Sequence, residues 1–240
     1  MRRLARLVIH KARRARRRAR PKFAPRLVIF DFDGTIGDTL MAGYEILNTL
    51  ADRFGFRRLE ESDLARARAM RTLELLAFLG LPARKLPKVA RAGTDLLAAR
   101  IRSIQPFPGL PELLTELRRR GYRLGIITSN SEKNVRAFLD QHGLDHFDFV
   151  RSSSKLLGKA REIRAVRKSG GYKRHHVLFV GDETRDIEAC KKAGVRIAAV
   201  TWGYNTPQAL LALAPDFLAP TPDDILKALE PPSRGKHPGF

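Results

Sequence analysis

At 240 residues, 43% hydrophobic and 30% charged, the chain is long enough for a full core in one large domain or two small ones. No apolar stretch approaches the ~18–20 residues of a membrane span, Leu7-Val8-Ile9 is too short for a secretory signal core, and the single cysteine, Cys190, excludes an intrachain disulfide and fits a reducing, cytoplasmic setting. The net charge of +21 is uneven: residues 1–26 hold 12 of the 46 Lys/Arg and none of the 25 acids, which leaves +9 for the rest.

The basic arm, residues 1–25, comes first. Its run Arg13-Arg14-Ala15-Arg16-Arg17-Arg18-Ala19-Arg20 repels itself and has almost no apolar surface to bury, which predicts a frayed or loosely helical, disordered appendage. Three readings stay open for it. It is a non-specific, salt-sensitive tether to nucleic acid, a contact to an anionic membrane surface through Leu4, Leu7, Val8 and Ile9, or an extension without a role. No aromatic lies in the basic run to stack on bases, which weighs against RNA.

From Arg26 onward short apolar runs alternate with amphipathic stretches. The runs Leu27–Phe32, Tyr122–Thr128, Phe147–Arg151, His176–Val180 and Arg196–Thr201 read as buried parallel strands. Pro111–Arg120, Glu132–His142, Leu156–Lys168 and Arg185–Ala193 read as helices, and Gly121, Gly143 and Gly194 follow three of them as C-terminal turns. This alternation predicts an α/β fold, a doubly wound, Rossmann-like parallel sheet. Residues 40–104 interrupt it. They show no convincing strand, but apolar residues recur at helical spacing in Tyr44–Phe54, Thr72–Leu79 and Val89–Ile104. Pro106-Phe107-Pro108-Gly109 closes this stretch as a stiff hinge. The predicted organisation is a core of residues 26–39 and 105–230, a helical cap of residues 40–104 set beside the first strand's end, and a Pro/Gly-rich disordered tail, residues 231–240.

The chemistry collects at the strand ends. The first strand delivers Asp31-Phe32-Asp33-Gly34-Thr35, two carboxylates two residues apart in a glycine-containing turn. The second ends in Thr128-Ser129-Asn130; Lys155-Leu156-Leu157-Gly158-Lys159 follows the third; the fourth ends Gly181-Asp182-Glu183-Thr184-Arg185-Asp186. In a parallel sheet these ends share one crevice. Mg²⁺ needs hard oxygen ligands, which Asp31 and Asp182 offer. A phosphoryl group needs donors and positive charge, which Thr128, nearby backbone amides and a lysine offer. An aspartate can also be the nucleophile.

These four motifs, in this order over roughly residues 26–205, resemble the haloacid dehalogenase superfamily of aspartate-nucleophile phosphatases. The helical insert matches the subfamily with a small helical cap, and Trp202-Gly203-Tyr204-Asn205 is similar to its phosphoglycolate phosphatase-like members. The resemblance implies that Asp31 attacks phosphorus and Asp33 serves as acid and then base. Thr128 holds the phosphoryl group with Ser129 and Asn130 beside it, and Gly34 and Thr35 belong to the substrate-binding turn. Lys159 neutralises the nucleophile, with Lys155 close enough to compete. Mg²⁺ is held by Asp31, the Asp33 backbone carbonyl and Asp182, with Asp186 supporting the site. An aspartate at position 33 favours a phosphatase over a dehalogenase. The implied function is hydrolysis of a small phosphorylated metabolite such as phosphoglycolate. A phosphomutase of the same superfamily, or a nucleic-acid or membrane-associated protein using the fold as a scaffold, is the alternative.

The remaining residues carry plainer expectations. His175 and His176 fall at the end opposite the site, Cys190 packs as a small hydrophobe, and Arg66, Arg68 and Arg71 either meet an anionic substrate or line a solvated helix face.

Overall fold

The computed structural model describes residues 24–153 and 158–230. Most of the basic arm, Lys155 and the tail from residue 231 lie outside the described residues, so the readings given to them have no structural counterpart here.

Leu27–Phe30 forms β1, and all four side chains are fully buried, as a strand covered on both faces requires. It pairs in parallel with β2 (Arg123–Thr128) on one side and β4 (Val177–Gly181) on the other, Phe30 lying opposite both Ile126 and Val180. With β3 (Phe149–Ser152), β5 (Arg196–Val200) and β6 (Phe217–Ala219) the strand order is β3-β2-β1-β4-β5-β6, all parallel. The chain winds outward from β1 in both directions, so the carboxyl end of β1 is the topological switch point, where such sheets bind ligands.

Period-two alternation divides the core into two layers. Val28 and Phe30 pack with Leu110, Leu114 and Leu117 of α5 (Leu110–Arg119), Phe138 of α6 (Glu132–His142) and Ile225 of α10 (Pro222–Leu229). Leu27 and Ile29 pack with Ile163 of α7 (Lys159–Ser169) and with Ile187 and Cys190 of α8 (Thr184–Ala193). Cys190 is buried there as a small hydrophobe.

Between β1 and β2 the chain builds helices: α1 (Leu40–Phe54), α2 (Leu64–Ala69), α3 (Thr72–Phe78) and α4 (Leu86–Arg100). Ile46 and Leu50 of α1 meet Leu81 and Val89 in a separate small core. Buried Asn48 pins the following loop in both directions, its amide donating to the Leu59 carbonyl at 2.9 Å and its oxygen accepting from the Leu59 N–H at 2.8 Å. The two connections to the sheet run side by side, Asp38 N–H donating to the Gln105 carbonyl and Phe107 N–H to the Ile36 carbonyl.

Four elements were not expected from sequence: α2, β6, the short α9 (Pro207–Leu211) and α10. Among the described residues no helix is long and apolar enough to cross a membrane.

Candidate active site

The backbone N–H of Asp31 donates to the Val180 carbonyl at 2.8 Å, extending the β1–β4 ladder one residue beyond the strand and fixing where the side chain emerges. Its carboxylate accepts from the Phe32 N–H at 2.7 Å on Oδ1 and from Lys159 Nζ at 2.6 Å on Oδ2. Lys159, the first residue of α7, is 5% exposed; it bonds Asp186 Oδ1 at 2.5 Å as well. Burial opposes its charge, but Asp186 and Asp31 outweigh that and hold its pKa above the ordinary lysine value. Lys159 thus stands beside the Asp31 carboxylate, while Lys155, the alternative, lies outside the described residues.

Asp182 ends β4 on the other side. Its Oδ1 accepts from the Thr35 hydroxyl at 2.6 Å and its Oδ2 from the Tyr204 N–H at 2.7 Å. Asp31, Asp182 and Asp186, all buried, bring carboxylate oxygens within 4.8 Å of one another. Burial first, then the charges of Glu183, Asp31 and Asp186, push Asp182 well above the usual carboxylate range. Asp186 rises to about 6 through burial, against the pull of Lys159. Packed hard-oxygen donors whose ionisation is resisted by each other's charge suit a divalent cation such as Mg²⁺. The Asp33 carboxyl stands outside this trio.

Asp33 faces the other way, half-buried, its Oδ1 accepting from the Asn130 amide at 3.2 Å. Burial and the neighbouring Asp31 raise its pKa to about 7, while Arg185 and Asn130 pull it back. Thr128 at the end of β2 is fully buried, its Oγ1 accepting from the Asn130 N–H at 3.0 Å, which leaves the hydroxyl hydrogen for another acceptor. Asn130 is itself held, its Oδ1 accepting from Ser131 N–H and from the Asn134 amide. Ser129 Oγ accepts from Arg185 Nη2 at 3.2 Å.

Gly34 and Thr35 pack against Asp182 and do not line the cavity described below. Gly34 has φ +72°, and a Cβ there would stand 2.3 Å from Asp182 Oδ2, so the turn needs glycine for both its backbone and its space. Thr35 orients Asp182 through its hydroxyl. These two residues shape the carboxylate cluster.

Asp33, Ser129, Asn130, Glu183 and Arg185 open onto a cavity of about 420 Å³ whose far wall is supplied by α1, α2, α3 and α4. The loop after β5 ties that wall to the core. Trp202 Nε1 donates to the Thr35 carbonyl at 3.2 Å, and the Asn205 amide donates to the carbonyls of Arg68 at 2.8 Å and Met70 at 3.0 Å. Asn205 Oδ1 in turn accepts from Thr184 N–H, at the start of α8. Arg68 is half-buried, and its Nε and Nη2 donate to the Tyr204 and Gly203 carbonyls at 3.1 and 2.9 Å. Arg71 pairs with Glu188 of α8 and Arg66 lies over the Phe78 ring. Sequence reasoning gave Arg185 no role, although it stands inside the fourth motif, and placed Arg68 on substrate or in solvent rather than on the loop Gly203–Tyr204. His175 and His176 sit in the turn before β4, at the opposite end of the sheet.

Residues 28–200 match the family model described as haloacid dehalogenase-like hydrolase. The chain is 40% identical over 207 residues to a phosphoglycolate phosphatase of Synechococcus elongatus, covering 84% of this chain and 96% of that protein. It is 28% identical over 234 residues to phosphoglycolate phosphatase 1 of Pseudomonas aeruginosa, covering 87% and 82%. A solved haloacid dehalogenase-like family hydrolase from Streptococcus pneumoniae superposes with a TM-score of 0.70 at 21% identity, over 86% of this chain and 99% of that one.

Proposed function

Because the chain belongs to the haloacid dehalogenase-like hydrolases, we propose that it is a Mg²⁺-dependent phosphatase of small phosphomonoesters working through an aspartyl-phosphate, with phosphoglycolate as the favoured substrate. The observation that carries this reading is the buried contact of Asp31 with Lys159, beside Asp182 and Asp186. The substrate choice is supported by the 40% identity to the Synechococcus elongatus phosphatase.

In the first step an Asp31 carboxylate oxygen attacks phosphorus, and the bond from phosphorus to the ester oxygen breaks. The leaving oxygen takes the proton from Asp33, whose raised pKa of about 7 keeps much of it protonated near neutral pH. In the second step a water oxygen attacks phosphorus, its proton passes to the Asp33 carboxylate, and the bond to Asp31 breaks to release phosphate. Thr128 donates its free hydroxyl hydrogen to a phosphoryl oxygen, and Lys159 offsets charge on the nucleophile. Asp31, Asp182 and Asp186 are the residues that would hold Mg²⁺, which when bound supplies positive charge beside the phosphoryl oxygens.

The test is phosphate release from a panel of phosphorylated metabolites, with Mg²⁺ and with EDTA, for wild type and Asp31→Asn. Release should require Mg²⁺ and fall at least about a thousandfold in the variant, consistent with loss of a covalent nucleophile. Undiminished release by folded Asp31→Asn would refute the assignment.

A further inference from the structure

We propose that Arg185 is a specificity residue that holds an anionic group on the leaving-group side of the substrate, a carboxylate one or two carbons beyond the ester oxygen. The inference rests on the phosphomonoesterase reading and deepens it.

A leaving group departing past Asp33 enters the cavity between the sheet end and the helical segment. Most of that cavity cannot solvate an anion, for Leu40, Ile46, Leu64 and Leu97 are aliphatic. The cationic residues lining it are Arg68 and Arg185. Arg68 has its Nε and Nη2 on the carbonyls of Tyr204 and Gly203.

Arg185 is differently disposed. Its Nη2 is shared between Glu183 Oε1 at 2.5 Å and Ser129 Oγ at 3.2 Å, which fixes the plane of the guanidinium. Its Nε is buried and has no hydrogen-bond partner among the described residues. An arginine carries five N–H donors in a rigid fork, and the Nε–H of this one meets no acceptor among the described residues. A buried donor without an acceptor is costly, and a carboxylate is the acceptor that a guanidinium edge fits. Its side chain is only 15% exposed and is paired with Glu183.

Position fixes which part of the substrate it meets. Ser129, which accepts from Arg185, adjoins Thr128, the residue assigned to the phosphoryl group, and the next residue, Asn130, bonds Asp33, the residue assigned to the ester oxygen; Asp33, Ser129, Asn130 and Arg185 line the same cavity. A group within reach of both, on the cavity side, meets atoms just beyond the ester oxygen. A two-carbon phosphorylated acid places its carboxylate there, and ethyl phosphate, of nearly the same shape, does not.

The test compares kcat/KM for phosphoglycolate and ethyl phosphate in wild type, Arg185→Gln and Arg185→Lys, with Mg²⁺ present. Wild type should prefer phosphoglycolate, and Arg185→Gln should reduce that preference about 10- to 100-fold, the worth of a charge-assisted hydrogen-bonded contact. Arg185→Lys, which keeps the charge but not the fork, should fall between, and it stands in if Arg185→Gln fails to fold. Equal losses on both esters would overturn the inference, because Arg185 would then serve the phosphoryl group or the local fold. Equal wild-type rates on both esters would overturn it while leaving the phosphatase reading intact. Hydrolysis of neither ester, nor of any other phosphomonoester, would overturn the phosphatase reading itself.

Discussion

Arg68→Ala should loosen the helical segment from the catalytic core without touching a reacting atom. Arg68 sits on α2, and its guanidinium crosses to the loop after β5, donating to the Gly203 and Tyr204 carbonyls at 2.9 and 3.1 Å. A hydrogen bond from a charged donor contributes about 1.5–3 kcal/mol. The side chain is half-buried, so water recovers part of that for the freed carbonyls, and the two bonds together come to about 2–3 kcal/mol. For a chain of this size that corresponds to a fall in Tm of about 5–10 °C. Arg68→Lys keeps the charge but cannot fork across two carbonyls, and should lose about half as much. Urea denaturation followed by Trp202 fluorescence is the direct assay. Trp202 is the chain's single tryptophan and stands in the same loop, its Nε1 donating to the Thr35 carbonyl. Because Tyr204 N–H supports Asp182 Oδ2, the Mg²⁺ concentration giving half-maximal activity should also rise. A stability loss under about 0.5 kcal/mol, with unchanged Trp202 emission, would refute the view that Arg68 anchors the segment.

Mg²⁺ should raise the Tm of the wild type, by about 5–10 °C at a hundred times its Kd, since a ligand bound only to the native state contributes about 2.7 kcal/mol there. Asp182→Asn should flatten that response in a thermal shift titration; a response equal to wild type would mean that the cation binds elsewhere. Asp148 reports on pH: burial opposes its charge, but the Leu124 N–H and the Arg123 and Arg118 guanidinia together hold its pKa below the usual 3.8. A lowered native pKa gives stability that is present above 3.8 and is lost as pH falls through the native value. Asp148→Asn should therefore be less stable than wild type at pH 7, with the gap closing below pH 3.8; denaturation curves at several pH values measure it, and a gap independent of pH would contradict the ion pairing.

The strands and the carboxylates were legible because each depends on local chemistry. Leu27–Phe30 is a run without a polar residue, which only a strand covered on both faces accommodates, and the acids stand where such a strand must end. β6 escaped notice because Phe217–Ala219 is three residues long and its strand character comes from pairing with β5 rather than from its own pattern. α2 escaped for a related reason: Leu64-Ala-Arg-Ala-Arg-Ala69 alternates with period two and has no helical stripe, yet it closes a helix whose Ala67 packs beside Leu59 and Leu79. The roles of Arg68 and Arg185 depend on partners 135 and 56 residues away in sequence, a separation no local pattern encodes. Gly34 and Thr35 stood in the right motif, but only the fold shows that both press on Asp182.

The site concentrates five carboxyl groups, Asp31, Asp33, Asp182, Glu183 and Asp186, against two cations, Lys159 and Arg185. Burial first, and the Asp31 and Glu183 charges with it, raises the pKa of Asp33, Asp182 and Asp186. Such crowding opposes folding, and it persists because the strand ends that deliver it are locked from behind: β1 is buried on both faces, and Asp31 is bonded into the β4 ladder. The crowding also has a direction. Lys159 lies between Asp31 and Asp186, and Thr35 and Tyr204 bond Asp182, so the acids are held together, and a cation among them, as proposed, would relieve their excess charge. Asp33 is turned out of that cluster toward Asn130 and the cavity, which leaves it free to carry a proton at neutral pH while its neighbour two residues away is held beside a lysine. In the proposed mechanism two aspartates from one turn thus take opposite roles through their surroundings, and the separation between them is set by which wall of the crevice each one faces.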